Sequence, residues 1–160
     1  MQRDSLFKTK LSIIRKTILL KDKKTIDWIH FILNDRSFKT LPHSYESLKK
    51  GNVLWMNFGA NIGNEFSGMH PALILKVHIK SGDVYVIPID SGYSKSTLEY
   101  QYDIPRIYGF KDKPRYVNLY RAQWLSVKRI DFENRVGHID KKLLEKISDS
   151  LKKFDNRIDK

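Results

Sequence analysis

The chain has 160 residues, no cysteine, and 30 Lys plus Arg against 18 Asp plus Glu, a formal net charge of +12. That length suits about one domain, able to bury roughly two thirds of its unfolded surface without covalent staples. The absence of thiols excludes disulfides, thiolate metal sites and a cysteine nucleophile, and fits a reducing cytosol, while the charge selects polyanions as partners: RNA, DNA, anionic lipid or an acidic protein.

Taken in order, Phe7, Leu11, Ile14 and Ile18 recur at three- and four-residue intervals. After the charged break Lys21-Asp22-Lys23-Lys24, so do Ile26, Ile29 and Leu33. The spacing predicts two helices over residues 5–34. Residues 1–50 hold 12 basic and 5 acidic side chains, so 12 − 5 = +7 of the excess charge sits there. That stretch reads either as an ordinary packing helix with a solvated basic face or as an arm that docks nucleic acid or a partner. The longest apolar stretches, such as Trp28–Leu33, fall far short of the roughly 20 residues that span a bilayer, and Lys and Arg interrupt any signal-peptide core. A soluble cytoplasmic protein with no membrane partner is the expectation. Between Asn34 and Lys50 the periodicity lapses and Pro42 blocks helix, which predicts a connector and a domain boundary near Glu46.

Lys50 to Ser91 organises the rest. Val53–Phe58, Pro71–His78 and Val84–Ile89 are β-rich runs, and Ser81-Gly82-Asp83 is a short turn, so three strands of a meander follow. The first two are joined by Gly59 to His70, a loop too long for a tight turn that carries a carboxylate, an imidazole and glycine hinges. Leu98–Ile104 alternates weakly as a strand. Pro105, Gly109 and Pro114 then interrupt a segment in which Tyr100, Tyr102, Tyr108, Phe110 and Tyr116 interleave with Arg106, Lys111, Lys113 and Arg115. That composition suits base stacking and phosphate neutralisation, and equally suits core packing. Tyr116–Trp124 reads as a core strand, and Leu125–Arg135 as a helical turn with a last short strand. Asp140 is placed to cap a helix whose apolar stripe is Leu143, Leu144, Ile147, Leu151 and Phe154. The residues 155–160 read as a polar tail.

Gly51-Asn52-Val53, the run Gly63-Asn64-Glu65-Phe66-Ser67-Gly68-Met69-His70-Pro71-Ala72-Leu73, and Val86-Ile87-Pro88-Ile89-Asp90-Ser91 together resemble the PemK/MazF family of toxins. The resemblance extends more weakly through Leu119-Tyr120-Arg121-Ala122-Gln123, Lys128-Arg129-Ile130 and the closing helix at 139–151. It covers about residues 47–154 and leaves residues 1–46 as a basic helical extension and linker. It implies a small SH3-like β-barrel, mainly β, with a C-terminal helix. It also implies a homodimer that carries RNA across a basic groove, and a cognate antitoxin that competes for the groove. Two departures stand out. The family usually carries a catalytic Arg immediately before the Pro of the second strand, where this chain has His70; Asp90 stands where Thr or Ser is common, with Ser91 next to it.

The histidines and carboxylates show no zinc spacing, and no Gly-x-Gly-x-x-Gly or P-loop is present, so neither a metal nor a cofactor is expected. What remains is acid–base chemistry, which for a basic protein points to cleavage of RNA by its own 2′-hydroxyl. Histidine suits both proton steps. On its own, His70 reads as a surface or capped histidine; the loop match makes it the leading catalytic candidate. Glu65 follows as general base or loop organiser, and Asp90 and Ser91 as strand-end residues with either a turn-capping or a catalytic role. Lys95, Arg106, Tyr108, Lys111, Lys113, Arg115 and Arg121 are the RNA-binding candidates, with Arg121 or Lys95 able to supply a permanent charge that His70 lacks. Gln123, His78 and His138 read as structural or exposed. A metal-independent endoribonuclease toxin is the leading reading. A gyrase-binding toxin of the same fold, disfavoured by the lack of any Trp after Trp124, and a non-catalytic RNA-binding barrel remain beside it.

Overall fold

The computed structural model describes residues 45–61, 66–95 and 99–158, together with positions 26 and 29. The predicted helices over 5–34 therefore lie outside the described residues except at Ile26 and Ile29, where the backbone is helical.

Eight antiparallel strands form one curved sheet: β1 (Asn52–Asn57), β2 (Met69–His78), β3 (Asp83–Ser91), β4 (Gln101–Asp103), β5 (Arg115–Asn118), β6 (Gln123–Ser126), β7 (Ile130–Asp131) and β8 (Gly137–His138). A single helix among the described residues with the length of a full element, α1 (Lys141–Ile158), closes the chain. The main strand order is β4-β5-β3-β2-β1-β7; β6 also pairs with β3, and β8 with β1. This is the mainly-β fold with a C-terminal helix that the glycine and strand pattern predicts. No helix among the described residues is long and apolar enough to cross a membrane.

The central strands are nearly continuous apolar runs because both faces of the sheet are covered, so successive side chains enter different cores. Val53, Leu73, Ile87 and Ile89 pack with Ile147 and Leu151 of α1. Their neighbours Leu54, Ile74 and Val86 point the other way, into a second core with Met56, Phe58, Phe66, Val127 and Ile130. A β-bulge between Ile74 and Lys76 adjusts this alternation. Leu75 is the extra residue: it stays in the α1-side core, and the shift turns Val77, paired with Val84, toward the second core.

Two expectations are corrected. Tyr116–Trp124 is not one strand but β5, a 3₁₀ turn at Leu119–Arg121, and β6. The break has a geometric cause: β5 pairs with the end of β3 at Ile89–Ser91, whereas β6 pairs with its beginning at Asp83–Val86. The chain must travel along the edge of β3, and Asn118 starts the turn by accepting the Tyr120 N–H at 3.1 Å. The predicted strand at 98–104 is shorter, only Gln101–Asp103. The helix, by contrast, begins as Asp140 predicts, its Oδ1 accepting the N–H groups of Lys142 at 2.9 Å and Leu143 at 3.3 Å.

Candidate functional site

The loop between β1 and β2 is closed at its base by two backbone hydrogen bonds, Phe58 N–H to Gly68 O at 2.9 Å and Gly68 N–H to Gly59 O at 2.7 Å. Gly59 and Gly68 both have positive φ, 93° and 83°, which side-chain-bearing residues rarely adopt. Within the loop, Asn61 donates to the Phe66 carbonyl at 2.6 Å. Phe66 is thereby fixed as a buried ring, edge-on to Phe58 at 5.1 Å.

Phe66 joins two polar groups from distant parts of the chain. The half-buried His70 ring lies 4.3 Å from it, and the Arg121 guanidinium carbon sits 4.9 Å from its centroid. Arg121, on the 3₁₀ turn after β5, makes an ion pair with Asp90 at the end of β3, Nη1 to Oδ2 at 2.7 Å. The same oxygen accepts the Tyr116 hydroxyl at 3.2 Å. Asp90 and Tyr116 are register partners between β3 and β5. β2 and β3 pair Ala72 with Pro88 and Leu73 with Ile87; continued by two residues, that register sets His70 level with Asp90. One end of the sheet therefore gathers an imidazole, a guanidinium, a carboxylate and a phenol.

Their electrostatics are complementary. Burial, and then the charge of Asp90 and the hydrogen bond to it, push the Tyr116 phenol above its ordinary value, with Arg121 opposing. Tyr116 is thus held as a protonated donor. Asp90 already accepts from two groups, an arrangement that orients Arg121 rather than leaving the carboxylate open as a base.

Ser91, the next residue, accepts a hydrogen bond from Lys113 Nζ at 3.1 Å. Arg106 lies over Tyr108 at 5.0 Å, and Tyr108 stacks on His138 at 4.9 Å, a separate exposed aromatic and basic patch. Lys95 is exposed and its backbone N–H bonds Gln101; Lys111 is exposed as well. Arg115 departs from the phosphate-binding expectation. It is 5% exposed, donates to the carbonyls of Lys111 at 2.8 Å and Lys113 at 3.4 Å, and lies 5.7 Å from the Phe110 ring. Burial lowers its pKa, partly offset by the charge of Asp112. Its guanidinium organises the 111–114 loop. Of the aromatic segment, Tyr100, Tyr102 and Phe110 pack against the core and Tyr108 faces solvent.

Glu65 lies outside the described residues. Phe66 is the site residue that sequence reasoning passes over as a functional group, its only signal being its place in the glycine-flanked loop; Tyr116, read from sequence as a stacking or core aromatic, is instead a hydrogen-bond donor to Asp90. A cavity of about 540 Å³ beside α1, with Tyr100, Tyr120 and Phe154 in its wall, contains none of the residues of this cluster. Among the described residues no three His, Asp or Glu side chains gather as metal ligands.

A family model described as PemK-like, MazF-like toxin of type II toxin-antitoxin system matches residues 49–154. Among solved structures, MazF (Form-I) from Deinococcus radiodurans superposes with a TM-score of 0.54 at 19% identity, covering 66% of this chain and 94% of that one. MazE-MazF (Form-II) from the same organism gives 0.50 at 20% identity, covering 66% and 93%. These likenesses concern the fold. No curated protein matches the chain.

Proposed function

The chain belongs to the PemK-like, MazF-like toxins of type II toxin–antitoxin systems, a family in which endoribonuclease activity is general, and we propose that it cleaves single-stranded RNA without a metal at the His70 end of the sheet. The observation that carries this reading is the convergence of His70, Arg121, Asp90 and Tyr116 through the shared Phe66 ring and the shared Asp90 carboxylate.

In the proposed reaction a base removes the 2′ proton and the 2′ oxygen forms a bond to the adjacent phosphorus. The bond from phosphorus to the 5′ oxygen breaks, and an acid protonates that oxygen. The products are a 2′,3′-cyclic phosphate and a 5′-hydroxyl. His70 supplies a proton-transfer group in the strand position where the family usually has Arg. Arg121, oriented by Asp90, supplies the permanent cation for the charge that builds on the phosphoryl oxygens, the role the substituted Arg leaves vacant. Glu65, five residues before His70, is the candidate for the second proton-transfer group. Ser91, whose hydroxyl accepts from Lys113 Nζ, is a candidate for contact with the phosphate.

The partners in this reading are RNA, a second copy of the chain, and a cognate antitoxin whose acidic segment competes with RNA in the cytoplasm. Support for the antitoxin comes from the family description and from the Deinococcus radiodurans structure of MazE with MazF.

Incubation of the purified protein with long single-stranded RNA in EDTA, followed by mapping of the ends, tests the reaction. Cyclic phosphate and 5′-hydroxyl ends are the expected outcome; binding without cuts would replace the enzyme by an RNA-binding barrel, and gyrase-dependent DNA breaks by a gyrase poison. His70→Ala is expected to lower cleavage by roughly 100- to 10,000-fold. In His70→Arg the limb of the pH–rate profile in the imidazole range should disappear, because guanidinium does not titrate there. Full activity in His70→Ala would remove His70 from the mechanism.

A further inference from the structure

We infer that the cavity beside Ser91, walled by Tyr93, Asp103, Pro105, Asp112 and Lys113, receives one unpaired RNA nucleotide next to the cleaved phosphate and selects a base with an exocyclic amine. The inference rests on the ribonuclease reading above and assigns it a specificity subsite.

Position is the first support. The cavity, about 450 Å³, opens at the end of β3. Lys113 lines it and bonds Ser91, and Asp103 in its wall is the register partner of Tyr116, whose hydroxyl bonds the Asp90 carboxylate of the candidate active site. A strand of RNA with its reacting phosphate near Arg121 would therefore run a neighbouring nucleotide into this opening.

Wall chemistry is the second. Tyr93 is 77% exposed, and with Pro105 and Pro114 it offers flat apolar surface to a base. Asp103 and Asp112 face the same space. Carboxylates repel phosphates, so in a chain of net charge +12 two of them in one wall are unsuited to gripping the RNA backbone. Ionised carboxylates accept hydrogen bonds only, which makes them readers of N–H groups. Asp103 already takes the Ser94 N–H on Oδ1 at 2.7 Å and keeps its second oxygen for another donor. Cytosine, adenine and guanine each carry an amino group, whereas uracil offers only its ring N–H.

The third support lies in the lining of the same cavity. Arg115 contributes to it and is 5% exposed, and its buried Nε has no hydrogen-bond partner. The guanidinium therefore has donor capacity left over beside the Asp112 carboxylate, whose charge it feels.

The test uses the full chain and 2′-O-methyl oligomers of C, A or U about ten nucleotides long, which cannot be cleaved, with affinity read by fluorescence anisotropy. Oligo-C and oligo-A are expected to bind more tightly than oligo-U. Asp112→Asn should weaken oligo-C and oligo-A by roughly ten-fold while leaving oligo-U equal or tighter, since loss of a negative charge alone would favour every polyanion. Asp103→Asn, which keeps an oxygen for Ser94, should act in the same direction, and an unchanged melting temperature shows that either variant folds. Tyr93→Ala should weaken all three by roughly 5- to 150-fold, and Tyr93→Phe should not. Equal affinities for the three oligomers, or Asp112→Asn tightening all of them alike, would overturn the assignment. So would Tyr93→Ala that disturbs the binding of an acidic antitoxin segment and leaves RNA untouched. Because the oligomers are inert, the expected pattern in a protein that cuts no RNA would sink only the ribonuclease reading.

Discussion

Asp90 accepts Arg121 and Tyr116 on one oxygen, so its neutralisation would release both. The two side chains of the ion pair are about a third exposed, at 31% and 27%, and solvent screening keeps their direct contribution to stability small. The value of the pair lies in aim. Arg121→Ala is expected to reduce cleavage by roughly 100- to 1,000-fold, the usual effect of losing one positioned group that stabilises the transition state. Arg121→Lys should recover only part of it, because an ammonium lacks the planar fork; single-turnover rates on one RNA would distinguish the two, and an active Arg121→Ala would remove the cation from the mechanism. Tyr116 gives a pH signature. Its folded pKa is raised above the ordinary value of 10, by burial first and Asp90 second. The folded chain thus holds that proton more tightly than the unfolded chain, so its contribution is full below pH 10 and is lost as pH rises through the folded value. Melting temperature measured against pH should fall less steeply on the alkaline side in Tyr116→Phe than in the unsubstituted protein.

At the scale of elements, the short β8 is tied in by close approach. A Cβ on Gly137 would lie 2.6 Å from both the Tyr108 carbonyl oxygen and Phe110 Cδ2, so one obstacle is backbone that cannot swing aside. Gly137→Ala should destabilise by about 1–3 kcal/mol through overpacking, displacing the Tyr108–His138 stack with it. α1 depends on its cap: with the Asp140 carboxylate removed, two N–H groups of the first turn lose their partner. Asp140→Ala is expected to lower stability by about 1 kcal/mol. Urea titration measures both, and Gly137→Ala with an unchanged midpoint would contradict the packing around β8.

For the whole molecule, the two cores are confined to one part of the chain, while the excess positive charge is shared between both parts. Both cores are built from residues between Leu48 and Leu151, and the family match spans 49–154. Deletion of residues 1–46 should therefore leave a β-dominated circular dichroism spectrum and a cooperative melt. The same deletion removes 10 basic and 5 acidic side chains, so the net charge falls from +12 to +7. RNA affinity of the full chain should fall linearly on a plot of log K against log salt, each neutralised phosphate adding about 0.7 to the slope for single strands. If the extension grips RNA the slope flattens on deletion; an identical slope would make its positive charge a solvated face.

Periodicity and backbone chemistry are properties of neighbouring residues, and these were legible in the sequence alone. Nearly continuous β-rich apolar runs marked β1 to β3, the glycines marked the loop before His70, and Asp140 with the stripe from Leu143 to Phe154 marked α1. The glycine spacing of the loop also pointed to the family. Residues far apart in sequence meet only through register, and no local pattern records it. That Arg121 bonds Asp90 across 31 positions, that Phe66 lies between Arg121 and His70, and that Arg115 turns inward to hold its own loop followed only from the way β5 and β6 divide β3 between them. The break of 116–124 into two strands has the same cause. A strand pattern states which faces are apolar, whereas the partner chosen along each half of β3 depends on the closure of two cores at once.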